Sequence, residues 1–204
     1  MNSIIHIADF YSTEIRGGGE LVDEIVVSSL VNKGYKVARL KSKQVTERLI
    51  KDNADKLFIV SNFVMLNPVC IRLLQTCDYV IYEHDHKYIV GRDPSPYKNY
   101  KVPINNLTNL EFYRNAKAVF AQSKLHAEVI SKNIRDANVV NLGCSLWSDE
   151  ELDILQEYVD SEKNGKMAVL NSTNKIKGTA QAKSFCEKND IDYNFIVSLD
   201  YNNF

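Results

Sequence analysis

The chain has 204 residues, 45% apolar and 25% charged, with a formal net charge of −1. That composition supports a substantial core and excludes wholesale disorder, while the near-neutral balance argues against a surface coated with nucleic-acid-binding charge. The length suits one large domain, or one domain and a fragment of another.

A strand is expected directly after Met1-Asn2-Ser3, so no secretory signal is expected there. No apolar run approaches the ~18 residues needed to span a bilayer, so the expectation is a soluble, cytoplasmic protein. Cys70, Cys77, Cys144 and Cys186 are scattered with no CxxC pair. They read as reduced thiols and not as a zinc site or a disulfide framework.

In chain order, strand-like apolar runs fall at Ile4–Ala8, Lys36–Leu40, Leu57–Val60, Tyr79–Tyr82, Ala118–Ala121 and Val139–Leu142. Helices are predicted between them at Glu20–Asn32, Val45–Lys51, Asn67–Gln75, Leu107–Asn115 and Lys124–Asn133. Short Val- and Ile-rich runs alternating with helices indicate a parallel sheet covered on both faces, a doubly wound α/β domain. The first helix is expected to bury Leu21, Ile25, Val26 and Ser29, with Gly34 as its stop. From Glu83 to about Pro103 runs a long connection with three prolines and no helical period. Its tyrosines argue for an ordered, functional loop.

After the sixth strand, a polar helix is expected from Asp149 to about Ser161, capped by Ser148 or Asp149. A strand at Met167–Leu170, a helix from about Thr179 and a strand at Phe195–Leu199 then restart the alternation. The organisation expected is a domain over 1–147, a linker helix over 148–165 and the opening βαβ unit of a second domain over 166–204. Two strands are too few for a sheet core of their own.

Candidate chemistry sits where parallel strands end and helices begin. Gly17-Gly18-Gly19-Glu20 lies between the first strand and the first helix, and three of the chain's eight glycines fall here. The segment reads either as a backbone cradle for a phosphate or sugar hydroxyl, with Arg16 as charge partner, or as a flexible connection. Its spacing is not that of a dinucleotide fingerprint. Glu83-His84-Asp85-His86 follows the fourth strand. His84 reads as a substrate contact or as part of a hydrogen-bonded surface cluster, and a metal on His84 and His86 lacks further ligands. Ser123 follows the fifth strand and reads as an N-cap. Lys177-Gly178 opens the last helix, as a diphosphate clamp or a solvated lysine.

Taken in order, these pieces resemble the amino-terminal half of a GT-B glycosyltransferase, most closely the large retaining group called family 4 or group 1. That family has a GGxE-type loop after its first strand, matched by Gly18, Gly19 and Glu20. His84, Ser123 and Asn141-Leu142-Gly143 match a histidine after strand four, a serine opening the helix after strand five, and an NG segment before the interdomain linker. Val169–Asn171 and Lys177-Gly178 resemble the start of the family's second domain. Arg92-Asp93-Pro94 and Leu146-Trp147-Ser148-Asp149 are similar to phage-encoded members, for which the host cytoplasm is implied.

The resemblance implies transfer of a sugar from a nucleotide-sugar donor to an unidentified acceptor, without a cofactor or a tightly bound metal. It implies that His84 meets the sugar, Lys177 the diphosphate and the glycine loop the donor or acceptor, all in one cleft. Nucleic acid is disfavoured by charge but stays open as acceptor. Two departures stand out: Ser172 falls where the family has an arginine, and the acidic donor-gripping motif of the second domain has no counterpart in these residues. The alternative is therefore a truncated, catalytically inactive GT-B relative that binds an acceptor or pairs with another chain.

Overall fold

The computed structural model describes residues 3–159, 161–173 and 175–196. The chain divides into two compact units, Met1–Ser148 and Asp149–Phe204.

The first unit builds one sheet from β1 (Ser3–Ala8), β2 (Lys36–Lys41), β3 (Leu57–Val60), β4 (Asp78–Glu83), β5 (Val119–Ala121) and β6 (Val139–Asn141). The six strands lie in the order β2-β1-β3-β4-β5-β6 and every neighbouring pair is parallel. The crossovers are α1 (Gly18–Asn32), α2 (Glu47–Lys51), α3 (Pro68–Leu74), α4 (Leu110–Arg114) and α5 (Lys124–Asn133). The expected doubly wound α/β fold is therefore present, with element ends within about three residues of those drawn from sequence. Because the chain leaves β1 for β2 on one side and returns to β3 on the other, the order reverses beside β1, where such sheets leave a crevice.

Strand side chains alternate between faces, and this decides what each helix covers. Ile5 and Ile7 of β1 join Phe58, Val60, Tyr79, Ile81 and Val119 in the larger core cluster. Tyr79 stacks on Phe112, with ring centroids 4.8 Å apart, and its hydroxyl donates to the Phe112 carbonyl at 2.6 Å. Ile4, Ile59 and Tyr82 form the other cluster with Val22 of α1, against which Val26 and Leu30 pack. His6 shares the face of Ile4, so it is buried beneath α1.

The stripe of α1 is the expected one only in part: Val26 packs toward the sheet as expected, but the row is shifted. Val22, Asp23 and Val27 are its buried residues, and Ser29 is exposed. The i, i+4 row Val22–Val26–Leu30 meets the sheet, and the Leu21–Ile25 row stands one residue aside. Gly34 does end the helix: its φ is +86°, a left-handed conformation that glycine adopts freely, and its N–H donates to Val31 O at 2.9 Å.

The long connection after β4 is ordered. Tyr88, Ile89 and Val102 are buried, and Ile89 forms an isolated bridge with Leu107. Asn133 of α5 fastens it: Oδ1 accepts from Val102 N at 2.8 Å, and Nδ2 donates to Tyr100 O at 2.8 Å and to Val129 O at 2.9 Å.

The second unit contains α6 (Asp149–Val159), β7 (Met167–Leu170), α7 (Thr179–Lys188) and β8 (Tyr193–Ile196). Asp149, Glu150 and Glu151 form the first turn of α6, favourable charges at a helix start. β7 and β8 pair in parallel with Met167 opposite Tyr193, and Val169 and Cys186 are buried between strand and helix. The last strand thus begins two residues before the expected Phe195, because Tyr193 and Asn194 already pair with β7. The rest of the predicted strand, to Leu199, lies outside the described residues. Among the described residues no helix is long and apolar enough to cross a membrane.

Asn133→Ala orphans the Val102 amide and removes both carbonyl contacts. It should cost about 2 kcal/mol in urea unfolding and bring earlier proteolytic cleavage within residues 84–103.

Candidate functional site

Parallel strands send all their following loops to one edge, and this edge collects the chemistry-bearing residues of the first unit. The segment after β1 runs into Gly17, the extended N-cap of α1, with Gly18 and Gly19 already inside the helix. None of the three has a positive φ. Their value is spatial: a Cβ on Gly19 would lie 3.4 Å from His84 Cγ and 3.6 Å from Asn62 Nδ2, so α1 starts close against the ends of β3 and β4. A Cβ on Gly17 would collide with Glu20 Oε2, which shows that the Glu20 carboxylate reaches back over the helix start. Gly18 meets nothing.

His84 is held from both sides. Its Nε2 lies 3.1 Å from Asp23 Oδ1, and its Nδ1 lies 2.6 Å from Gln122 Nε2. Gln122 is anchored in turn by Ser145 Oγ, which donates to Oε1 at 2.6 Å. Beyond Asp23 the chain of contacts continues through His6, whose Nε2 lies 3.7 Å from Asp23 Oδ1 and 3.1 Å from Ser61 Oγ. The other ring nitrogen of His6 lies 3.2 Å from the Tyr11 hydroxyl, which accepts from Leu40 N at 3.0 Å. A polar chain thus crosses the carboxyl edge of the sheet from the segment after β6 to the end of β2. Burial would raise the Asp23 carboxyl, but the close approach of His6 and the hydrogen-bonded contact with His84 outweigh it and hold the group well below the usual carboxylate range. Asp23 Oδ2 and the Tyr82 hydroxyl are buried without a hydrogen-bond partner among the described groups. Burial, with Asp23 nearby, pushes that hydroxyl up to about 12.

A second buried carboxylate fixes the segment carrying His84. Glu83 accepts from the Tyr113 hydroxyl, from Lys87 Nζ at 3.0 Å and from Asp85 N at 2.9 Å. Burial would raise its pKa, yet the Lys87 charge and these hydrogen bonds lower it to about 2. Lys87 also reaches Asp85 Oδ1 at 2.7 Å, and Arg92 holds Asp85 Oδ2 at 2.6 Å. His86 turns elsewhere: its Nδ1 is 2.9 Å from the Tyr88 hydroxyl, and its ring meets His126 edge-on at 4.7 Å. His84 and His86 therefore serve different neighbourhoods and do not pair as ligands. Among the described residues, no group of three or more His, Cys, Asp and Glu is placed to hold a metal ion.

Of the residues singled out from sequence, the structure brings Gly19 and His84 into contact, with Gly17, Gly18 and Glu20 in the same turn. Arg16 precedes that turn and is exposed. Ser123 caps α5, accepting from His126 N at 3.1 Å. In the second unit, Lys177 ends a short 3-10 turn and Gly178, with φ +72°, is the N-cap of α7. Asp23, His6, Gln122 and Ser145 were missed. The signal for Asp23 was a lone acid on the apolar row of a helix, one residue from Val22. Two hollows lie apart from His84. One of about 740 Å³ beside the ends of β2 and β3 is lined by Lys43, Thr46, Val64, Met65 and Asn67, among others. Another of about 340 Å³ lies near the amino ends of β1 and β2, the wrong edge for a ligand of a parallel sheet.

No family model matches the chain, and no curated protein sequence matches it. Solved structures do. An alpha-glucosyltransferase in complex with UDP superposes with a TM-score of 0.51 at 14% identity, over 98% of this chain and 59% of that one. The same kind of enzyme with UDP and a 13-mer DNA containing a central A:G mismatch gives 0.54 at 14%, over 96% and 55%. A third, with UDP and a 13-mer DNA containing a HMU base, gives 0.51 at 15%, over 92% and 54%. This likeness shows a fold: the chain is α/β, with a Rossmann-like sheet of the GT-B glycosyltransferase kind. It spans a little over half the length of those chains.

Two outcomes follow from the buried charges. Lys87→Ala leaves Glu83 uncompensated and should cost about 3–5 kcal/mol in chemical denaturation, whereas pairing Lys87→Met with Glu83→Gln should recover a large part of that loss. The second concerns His126, whose Nε2 is buried without a partner among the described groups and whose pKa is lowered to about 4 by burial and by His86. Between pH 4 and 6.5 the unfolded chain binds this proton and the folded chain does not, so stability rises with pH across that window. The rise should be up to about 3 kcal/mol, and His126→Gln should flatten it in unfolding curves taken along the pH range.

Proposed function

We propose that the chain provides the amino-terminal part of a nucleotide-sugar-dependent glycosyltransferase of the GT-B type, similar to family 4 and to its phage-encoded members. The observation that carries this reading is the meeting of Gly19 with His84 where β1 and β4 end, within a GT-B-like sheet. In this reading the Gly17–Glu20 turn approaches the donor or acceptor and His84 hydrogen-bonds the sugar. Arg16 adds positive charge at the rim and Ser123 orders the start of α5. The resemblance assigns Lys177 and Gly178, at the opening of α7, to the donor diphosphate. Retaining enzymes of this kind act mainly by positioning donor and acceptor and by meeting the departing diphosphate with fixed dipoles and cations. UDP in the neighbouring structures favours a uridine donor, and the DNA bound in two of them keeps a nucleic-acid acceptor in view.

A second reading is a catalytically inert GT-B-like binding domain or partner subunit. One observation favours it: both ring nitrogens of His84 are already engaged by groups of the chain itself.

Calorimetric titration with UDP-glucose, GDP- and ADP-sugars, beside a donor-hydrolysis assay, tests both. The expected result is weak binding of a UDP-sugar by these 204 residues and slow or no turnover. His84→Ala should reduce turnover only in a form that carries the remainder of the donor site, because small misplacements in a two-substrate cleft cost about a hundredfold. Tight binding with robust turnover would place a whole donor site within these residues. No binding of any nucleotide sugar would favour the inert reading.

A further inference from the structure

We propose that His84 is wired as a hydrogen-bond acceptor: Asp23 fixes its proton on Nε2, Nδ1 is left as the lone pair that a ligand hydroxyl meets, and the Gln122 amide holds that place in the ligand's absence. Asp23 is thereby the positioning residue for His84, and Gln122 is the group that a ligand hydroxyl displaces. The assignment of the hydroxyl to a sugar rests on the glycosyltransferase reading; the wiring does not.

The geometry leaves little freedom. Asp23 Oδ1 lies 3.1 Å from Nε2, and an ionised carboxylate only accepts, so Nε2 carries the proton. In a neutral imidazole the other nitrogen is then the acceptor. The Gln122 amide agrees independently. Its Nε2 lies 2.6 Å from His84 Nδ1 and 3.4 Å from the Glu83 carbonyl oxygen, so as placed it faces two acceptors with its donor end. Flipping the amide would set its oxygen against the Glu83 carbonyl oxygen, acceptor against acceptor. The Ser145 hydroxyl, 2.6 Å from Oε1, can donate or accept and does not oppose the assignment.

Burial makes the arrangement stiff. The Asp23 side chain is fully buried and that of His84 is 8% exposed. Tyr82 lies beside the imidazole with ring centroids 5.2 Å apart, and the missing Cβ of Gly19 leaves room over Cγ. The groups around Nδ1 therefore set the class of ligand. A phosphate oxygen brings a lone pair to a lone pair and is rejected; a hydroxyl brings the same donor that Gln122 supplies. Gln122 is tethered to Ser145, in the segment that follows β6, so losing the Ser145 contact frees the amide to leave Nδ1.

The test uses the full chain labelled with 15N and long-range proton–nitrogen correlation of the histidine rings, with His84→Gln to assign its signals. His84 should show the Nε2–H tautomer. Gln122→Ala should keep that tautomer while moving the Nδ1 resonance, because only the partner of Nδ1 is lost. Asp23→Asn should admit the Nδ1–H form, since an amide can donate to Nε2. In calorimetry, Gln122→Ala should bind UDP-glucose about fivefold more tightly than the parent chain, with UDP itself unchanged. A parent chain with His84 protonated on Nδ1 overturns the proposal, as does a Gln122→Ala chain whose Nδ1 signal does not move. An equal gain for UDP and UDP-glucose also overturns it. If neither nucleotide binds any variant, the glycosyltransferase reading fails, and the ring signals alone still decide the wiring.

Discussion

A carboxylate removed from water must be met by its neighbours, and two such groups, Glu83 and Asp23, determine where His84 stands. Glu83 is the last residue of β4 and is fully buried; Tyr113, Lys87 and the Asp85 amide answer its charge. Those contacts draw α4 and the segment after β4 onto the sheet end, and the backbone leading into His84 is set by them. Asp23 acts from the opposite side, projecting from α1 beneath the helix start. Neither group is cheap to bury, and a missing partner on either side would leave several kcal/mol unanswered. The same cost accounts for the run of polar contacts around His84, from Ser145 on one flank to Tyr11 on the other, although Asp23 Oδ2 and the Tyr82 hydroxyl stay without a partner among the described groups.

That polar chain depends on sheet topology. With every strand parallel, the ends of β1, β3, β4 and β5 share one edge, and Ser61, His84 and Gln122 all follow strand ends there. Strand alternation then places His6 on the α1 face beside Ile4, within reach of a helix residue one position from Val22. A one-residue slip of β1 would turn His6 to the other face and replace it with Ile5 or Ile7, breaking the chain at its centre. The middle of the chain of contacts, where His6 meets Asp23, lies beside β1, where the strand order reverses and doubly wound sheets open to ligands.

Much of this was legible in the sequence because apolar runs of Val and Ile have few other uses. Ile4–Ala8 and Leu57–Val60 announce buried parallel strands, and Gly34 announces a helix stop. The position of the glycine turn was legible too, but its reason was not: Gly19 is small to let α1 approach His84, and no residue of the triplet needs a glycine backbone angle. Asp23 was hidden because the apolar row was drawn through Leu21 and Ile25. Helical periodicity tolerates a shift of one residue when four of the flanking residues are aliphatic. Gln122 and Ser145 carry no local signal at all. Their role depends on a contact 23 residues apart in sequence, which only the closed sheet edge creates. The ordering of the long segment after β4 followed from its tyrosines, whereas its fastening by Asn133 required α5 to be in place.

The chemistry of the first unit favours a hydroxylated ligand over an anion at this edge. A helix start ordinarily attracts negative charge, and the glycines of α1 would let a phosphate come close. Here the Glu20 carboxylate already reaches back to Gly17, so an incoming anion meets like charge and must displace it. Asp23 places a second negative charge beneath the same turn, and in the proposed wiring His84 offers a lone pair there. Lys87 cannot compensate, since Glu83 and Asp85 hold it. In the proposed reading, a bound nucleotide-sugar would present its sugar hydroxyls, and not its diphosphate, to His84. The diphosphate charge would have to be answered by groups other than those that surround this imidazole. Fold likeness alone gives no such orientation; it follows from which atoms at the end of β4 can donate and which can only accept.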